Sequence, residues 1–223
     1  MELMPIIISL KTASTAILIT FLLGLYVAWW VVNLKSERIK MVLDGILTLP
    51  MVLPPTVVGF LLLMIFGVNR PIGRLLLDFL GVKIVFSWSA TVIAAVVISF
   101  PLMYRSARAA FEQVDQDLIF AAKTLGMSER EVFWRVTLPL ALPGIAGGAI
   151  LAFARGLGEF GATAMIAGNI ANETRTLPLA IYSEVAAGNM KAASPYVIIV
   201  VLISFLVVVL TNYFSWKERK YLD

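Results

Sequence analysis

The chain of 223 residues is 60% hydrophobic and 14% charged, with a mean hydropathy of +0.92, against roughly 45–50% apolar and about 25% charged residues in a soluble domain, which marks an integral membrane protein. It has no cysteine and no histidine, which argues against disulfides, zinc sites and Ser-His or Cys-His catalysis. The formal charge of +4 is modest and the basic residues are spread over the connections, so nothing supports a nucleic-acid surface.

Apolar runs near the roughly 20 residues of a membrane-crossing helix, without the period-2 alternation of a membrane barrel, predict an all-α fold. The whole chain, 1–223, reads as one membrane domain with about five spans. The opening MELMPIIISLK lacks a basic n-region and a small-residue cleavage site, so its apolar run is expected to be retained as a span. Span one is predicted from Ser9 to Leu34, with Lys11 snorkelling to the interface. Span two, Val42 to Gly67, contains Pro50, Pro54 and Pro55, and each removes a backbone donor. That helix must be kinked or broken and belongs in a bundle core or beside a water-filled path. Val68 to Val85 forms an external loop in which GRLLLDFLG suggests a short interfacial helix. Span three is predicted from Phe86 to Tyr104.

The next segment is polar, and a helix-turn-helix this polar must sit at a membrane face. Its first helix is expected from about Asp115 to Leu125, ended by Gly126 in the left-handed conformation. Ser128 then caps a second helix, with Glu131 three positions on completing a capping box. Pro139 is expected to stop that helix and start span four, Leu138 to Ile166. Within span four, Arg155 and Glu159 are four apart and can meet on one helix face, as a structural salt bridge or as part of a pore lining. Gly156, Gly158 and Gly161 satisfy G-x-G-x-x-G, but no strand precedes them, so helix packing or a hinge is the better account. A second external loop, Asn169 to Ser194, carries the amphipathic LPLAIYSEV, and span five follows from Pro195 to Trp216.

Lys35, Arg38 and Lys40, the basic residues Arg105, Arg108, Lys123, Arg130 and Arg135, and the C-terminal Lys217, Arg219 and Lys220 fall on one side. They outnumber Lys11, Arg70, Arg74, Lys83, Arg175 and Lys191 on the other. The positive-inside bias then puts the hairpin and C-terminus in the cytoplasm and the N-terminus outside. Tyr26, Trp29, Trp30, Trp88, Tyr104, Tyr213 and Trp216 are expected in the interfacial aromatic belt.

The pattern Ala121, Ala122, Gly126, Val136, Leu138 and Pro139 resembles the cytoplasmic signature loop of type I ABC-importer permeases. Phe120 stands where that signature usually opens with Glu. The resemblance extends through LDGILTLPMVLPPTVVGFLLL, AKTLGMSEREVFWRVTLPLALPGI and FARGLGEFGATAMIAGN to the molybdate permeases of that family, with sulfate permeases close by. It implies a prokaryotic plasma-membrane homodimer working by alternating access, two copies of a separate ATPase carrying ATP and Mg, and an external oxyanion-binding protein. It also implies a coupling loop at about 115–138, with Ala121, Ala122, Gly126, Ser128, Glu131, Leu138 and Pro139 as coupling residues. No G-x-x-x-x-G-K-[ST] occurs, so the chain cannot cradle ATP phosphates with a P-loop, and no cofactor is expected in it. Helix N-termini and the polar groups of Thr56, Arg155, Glu159, Thr163 and Asn169 are candidates for the pore or gate. Molybdate, or tungstate, is the expected substrate, with sulfate or thiosulfate in the same class. A secondary anion transporter would need internal repeats, and none is visible. An intramembrane hydrolase would need a nucleophile and base placed together, and no such pair is convincing within one span.

Overall fold

The computed structural model describes residues 2–222, and their side chains as far as Tyr213. Those described residues are all-α: four helices are long and apolar enough to cross a membrane, and a bent pair makes a fifth. The side chains of Trp216, Lys217, Arg219 and Lys220, expected at the cytoplasmic interface, lie outside the described ones.

Helix α1 (Met4–Val32) starts earlier than the sequence suggests, because Pro5 is tolerated in a first helical turn. One face carries Ala13, Ala16, Thr20, Gly24 and Ala28, all buried against α5 (Trp88–Glu112). Such small residues let two membrane helices approach closely, and Thr12 to Thr91 (2.9 Å) and Thr20 to Ser99 (3.3 Å) hydrogen bonds join them. Leu18, Leu22 and Tyr26 on the other face are exposed, as lipid-facing side chains are.

Span two is not one helix. Helix α2 (Glu37–Val52) and helix α3 (Pro55–Phe66) meet at 109°. Pro55 drives Pro54 out of the α region and Pro54 does the same to Leu53, so both are extended, with ψ of 134° and 143°. Pro50, by contrast, is absorbed within α2. The two loops expected on the external side hold the expected short helices, α4 (Pro71–Leu80) and α10 (Leu177–Ala186). The hairpin consists of α6 (Gln116–Thr124) and α7 (Glu129–Val132).

Pro139 does not stop the second hairpin helix. The chain runs from α7 through a π turn, Phe133–Thr137, straight into α8 (Leu138–Leu157). In a regular α-helix the Pro139 ring would press on the Arg135 carbonyl and leave it without a donor. Widening the turn lets the Leu138 N–H reach Phe133 O instead, so the helix continues. Span four is then broken further along: α8 ends at Leu157 and α9 (Gly161–Ala167) follows after three residues. The last helix, α11 (Met190–Leu222), begins before Pro195, which sits inside it.

Helix α5 is the hub. With α1 and α8 it encloses Ala28, Val31, Met103, Tyr104, Phe111 and Ile145 at the hairpin end. With α3 and α9 it encloses Val58, Leu62, Ile98, Ala162 and Ile166 nearer the opposite end. A smaller cluster joins Leu177 and Ala180 of α10 to Tyr196 of α11.

Candidate functional site

The hairpin is built from local hydrogen bonds. Asp115 caps α6 by accepting from the Asp117 N–H (2.9 Å). At its other end Gly126 has φ of +85°, and its N–H reaches Lys123 O (2.9 Å) while the Met127 N–H reaches Ala122 O (3.2 Å). Those two bonds close a Schellman motif. Ser128 and Glu131 then form the expected capping box, the Glu131 N–H donating to Ser128 Oγ (3.3 Å) and the Ser128 N–H to Glu131 Oε2 (2.9 Å). Lys123 closes the hairpin onto Glu129 at 2.7 Å.

Of the seven proposed coupling residues, Ala121, Gly126, Ser128, Glu131 and Pro139 are exposed, Leu138 is half-buried and Ala122 is the buried residue of α6. Between them protrude Leu118, Phe120 and Leu125, the last 84% exposed. These three side chains leave exposed apolar surface on a polar, capped hairpin. Its root is an aromatic cluster of Trp29, Phe111 and Phe133. Trp29, expected in the interfacial belt, packs tilted on Phe133 (4.4 Å between centroids) and edge-on against Phe111 (5.4 Å). Phe133 is the first residue of the π turn, so hairpin, α1 and α5 meet at one ring.

The two helix breaks meet each other. Helix α3 packs along α9 with Gly59 against Ala162, where an added Cβ would lie 2.8 Å from Ala162 Cα. Gly161, the first residue of α9, faces the start of α3, and a Cβ there would lie 3.2 Å from Thr56 N. Thr56 is exposed at this junction and Thr163 is buried within α9. Glu159 stands in the break between α8 and α9, with its side chain 1% exposed. Its Oε2 accepts from Arg155 Nη1 (2.9 Å) and its Oε1 from the Ala162 N–H (2.8 Å). One carboxylate therefore both pairs a cation and satisfies an orphan amide at the N-terminal end of α9. Arg155 has its side chain 40% exposed, so the positive member of the pair reaches outward while the negative member is enclosed.

Asn169 is not part of this junction. It lies in the loop between α9 and α10, where its Nδ2 donates to Ser183 Oγ (2.6 Å) and its Oδ1 accepts from Arg175 Nε (3.0 Å). Lys11, expected to snorkel, lies 4.0 Å over the Trp88 ring, a cation–π contact. Tyr104, expected in the interfacial belt, is fully buried within the helices and donates its hydroxyl proton to Asp44, which also accepts from Arg108. Among the described residues no group of three or more His, Cys, Asp or Glu could hold a metal ion.

Residues 11–220 match the family model for the binding-protein-dependent transport system inner membrane component. The chain belongs to this family. It is a transmembrane permease subunit of a type I ABC importer, not an enzyme. The permease is 43% identical over 220 residues to the molybdenum transport system permease protein ModB of Escherichia coli strain K12, covering 98% of this chain and 96% of that one. It is 40% identical over 221 residues to ModB of Haemophilus influenzae, covering 99% and 96%. Among solved structures the permease resembles a chain of the MetNI methionine ABC transporter in inward-facing conformations, with TM-score 0.68, 18% identity and 94% of each chain covered. A bacterial ABC transporter involved in alginate import gives TM-score 0.71 at 16% identity, over 98% of this chain and 79% of the other. At those identities the likeness establishes the fold alone.

Proposed function

We propose that this permease carries molybdate, or the nearly identical tungstate, across a prokaryotic plasma membrane as a homodimer driven by a separate ABC ATPase. The observation that carries the reading is the 43% identity to a molybdenum transport permease across nearly the whole chain. An external binding protein delivers the oxyanion, and the membrane pair opens alternately to either side. The N-terminus lies outside, and the hairpin and C-terminus lie in the cytoplasm.

The hairpin over 115–138 is the coupling element. Its capped, rigid frame and its protruding Leu118, Phe120 and Leu125 suit insertion into a cleft on the ATPase, which itself holds ATP and Mg. Phe120 in this register makes the contact apolar where an acidic residue is usual in the family. Closure of the ATPase dimer moves the hairpins together, and the motion enters the span through the π turn.

The junction of the two broken helices is the gate region. Broken helices at membrane depth are tolerated where protein or a water path satisfies the freed backbone. Thr56 and the outward edge of Arg155 offer donors to a passing dianion, while Glu159, held by Arg155 and the Ala162 amide, is prevented from repelling it. Neither offers a deep site, which suits a pore that must release what a binding protein supplies.

The test is uptake of radiolabelled molybdate into vesicles that contain the permease, its ATPase and its binding protein. Uptake that requires ATP and resists excess sulfate is the expected result. Accumulation without ATP would overturn the importer mechanism, and ATP-dependent uptake of sulfate in place of molybdate would overturn the substrate.

A further inference from the structure

Helix α2 buries no residue within the chain, yet one of its side chains is held by two others. The Asp44 carboxylate accepts from the Tyr104 hydroxyl through Oδ1 and from Arg108 Nη1 through Oδ2. Arg108 Nε in turn donates to Glu112 Oε1 at 2.7 Å. Tyr104, Arg108 and Glu112 lie on successive turns of α5, and Glu112 is its last residue, three positions before the hairpin cap Asp115. The cluster lines a pocket of about 390 Å³ between α2 and α5, together with Gly45, Thr48, Arg105 and Ala109. Two carboxylates and two guanidiniums balance in that lining, so the pocket is not an anion trap. Its charges are spent on joining two helices.

We infer that Asp44 and Arg108 form an ionic strut that carries movement of the coupling hairpin into the broken span. The inference rests on the coupling reading of the hairpin given above. Helix α2 lies mainly on α5, with Leu43 and Leu47 touching the core cluster and Asp44 providing the polar link. At its far end the extended Leu53 and Pro54 let it pivot against α3. A displacement of the last turns of α5 therefore pulls on Asp44 and swings α2 about the proline break. Asp44 and Arg108 are positioning residues, since neither meets the oxyanion in this scheme.

Asp44→Asn keeps the shape and removes the charge, and Asp44→Glu keeps the charge in a pocket with room for one more methylene. In vesicles with the ATPase and binding protein, the expected result for Asp44→Asn is ATP hydrolysis that persists while uptake falls, raising ATP consumed per molybdate about tenfold, with Asp44→Glu restoring most of the loss. A covalent substitute sharpens the test. The chain lacks cysteine, and a Cβ at Gly45 meets nothing within 4 Å, so Gly45→Cys with Ala109→Cys can be bridged across the pocket by a flexible bifunctional thiol reagent. Bridging is expected to rescue coupling in the Asp44→Asn background and to leave uptake intact when Asp44 is present. An unchanged ATP-to-molybdate ratio in Asp44→Asn, or a bridge that blocks uptake in the presence of Asp44, would overturn the strut. Parental vesicles that take up no molybdate would instead overturn the substrate reading, and the strut is then tested by the same ratio of ATP consumed to anion transported with sulfate as the anion.

Discussion

Gly126 shows how one residue type sets the hairpin. Its φ of +85° is strained for a side chain, although a Cβ there would meet open space. The obstacle is therefore backbone conformation, not crowding. Gly126→Val should cost about 1–2 kcal/mol of local stability and remove binding-protein stimulation of the ATPase while membrane insertion stays normal. Gly126→Asn, which accepts the left-handed region, should retain most of the stimulation. Stimulation assays on the two variants check the difference, and equal behaviour would sink the turn argument. This turn was legible in the sequence because Gly126, Ser128 and Glu131 act through bonds to near neighbours. Asp44 was not legible in the same way. Its interhelical role could be suspected from its place near a span end, but Arg108 is 64 positions away, and no local pattern names that partner.

Among the elements, the pair α3 and α9 is the most tightly specified. Gly59 leaves no room for a methyl group against Ala162 and Met165, where the nearest approach would be 2.7 Å. Gly59→Ala should destabilise the permease by about 1–3 kcal/mol, seen as a lowered unfolding midpoint in detergent, and should reduce uptake more than hairpin docking. A variant as stable and active as its parent would show that the contact relaxes freely. Three prolines near one another announced a break in span two, because proline acts on its own backbone. The 109° size of that bend was beyond sequence reading, since it is set by where α3 finds α9. Pro139 misled for the complementary reason. A helix can admit proline by widening one turn, and the signal for that lies in the packing of Phe133 against Trp29 and Phe111, residues far apart in the chain.

For the whole molecule, span number and fold class were legible from hydropathy, because lipid requires each crossing segment to be long, apolar and internally hydrogen-bonded. The sidedness proposed from charge bias can be checked directly in this cysteine-free chain. Arg130→Cys in the hairpin should react with a membrane-impermeant thiol reagent only from the cytoplasmic face, and Asn172→Cys in the second external loop only from outside. Reversed labelling would invert the topology and remove the hairpin from the reach of a cytoplasmic ATPase.

The bend between α2 and α3 also governs how the permease is made. At about 1.5 Å per residue neither the 16-residue α2 nor the 12-residue α3 covers the roughly 30 Å of hydrocarbon by itself. Sharply angled, and with Asp44 on one limb, the pair is a poor passenger for direct release into lipid. Its lasting neighbours are protein: α5 for α2, and α9 for α3. The ribosome completes α9 only after every helix from α4 to α8. The second span therefore gains its packing against α9 only late, once nearly three quarters of the chain has been synthesised.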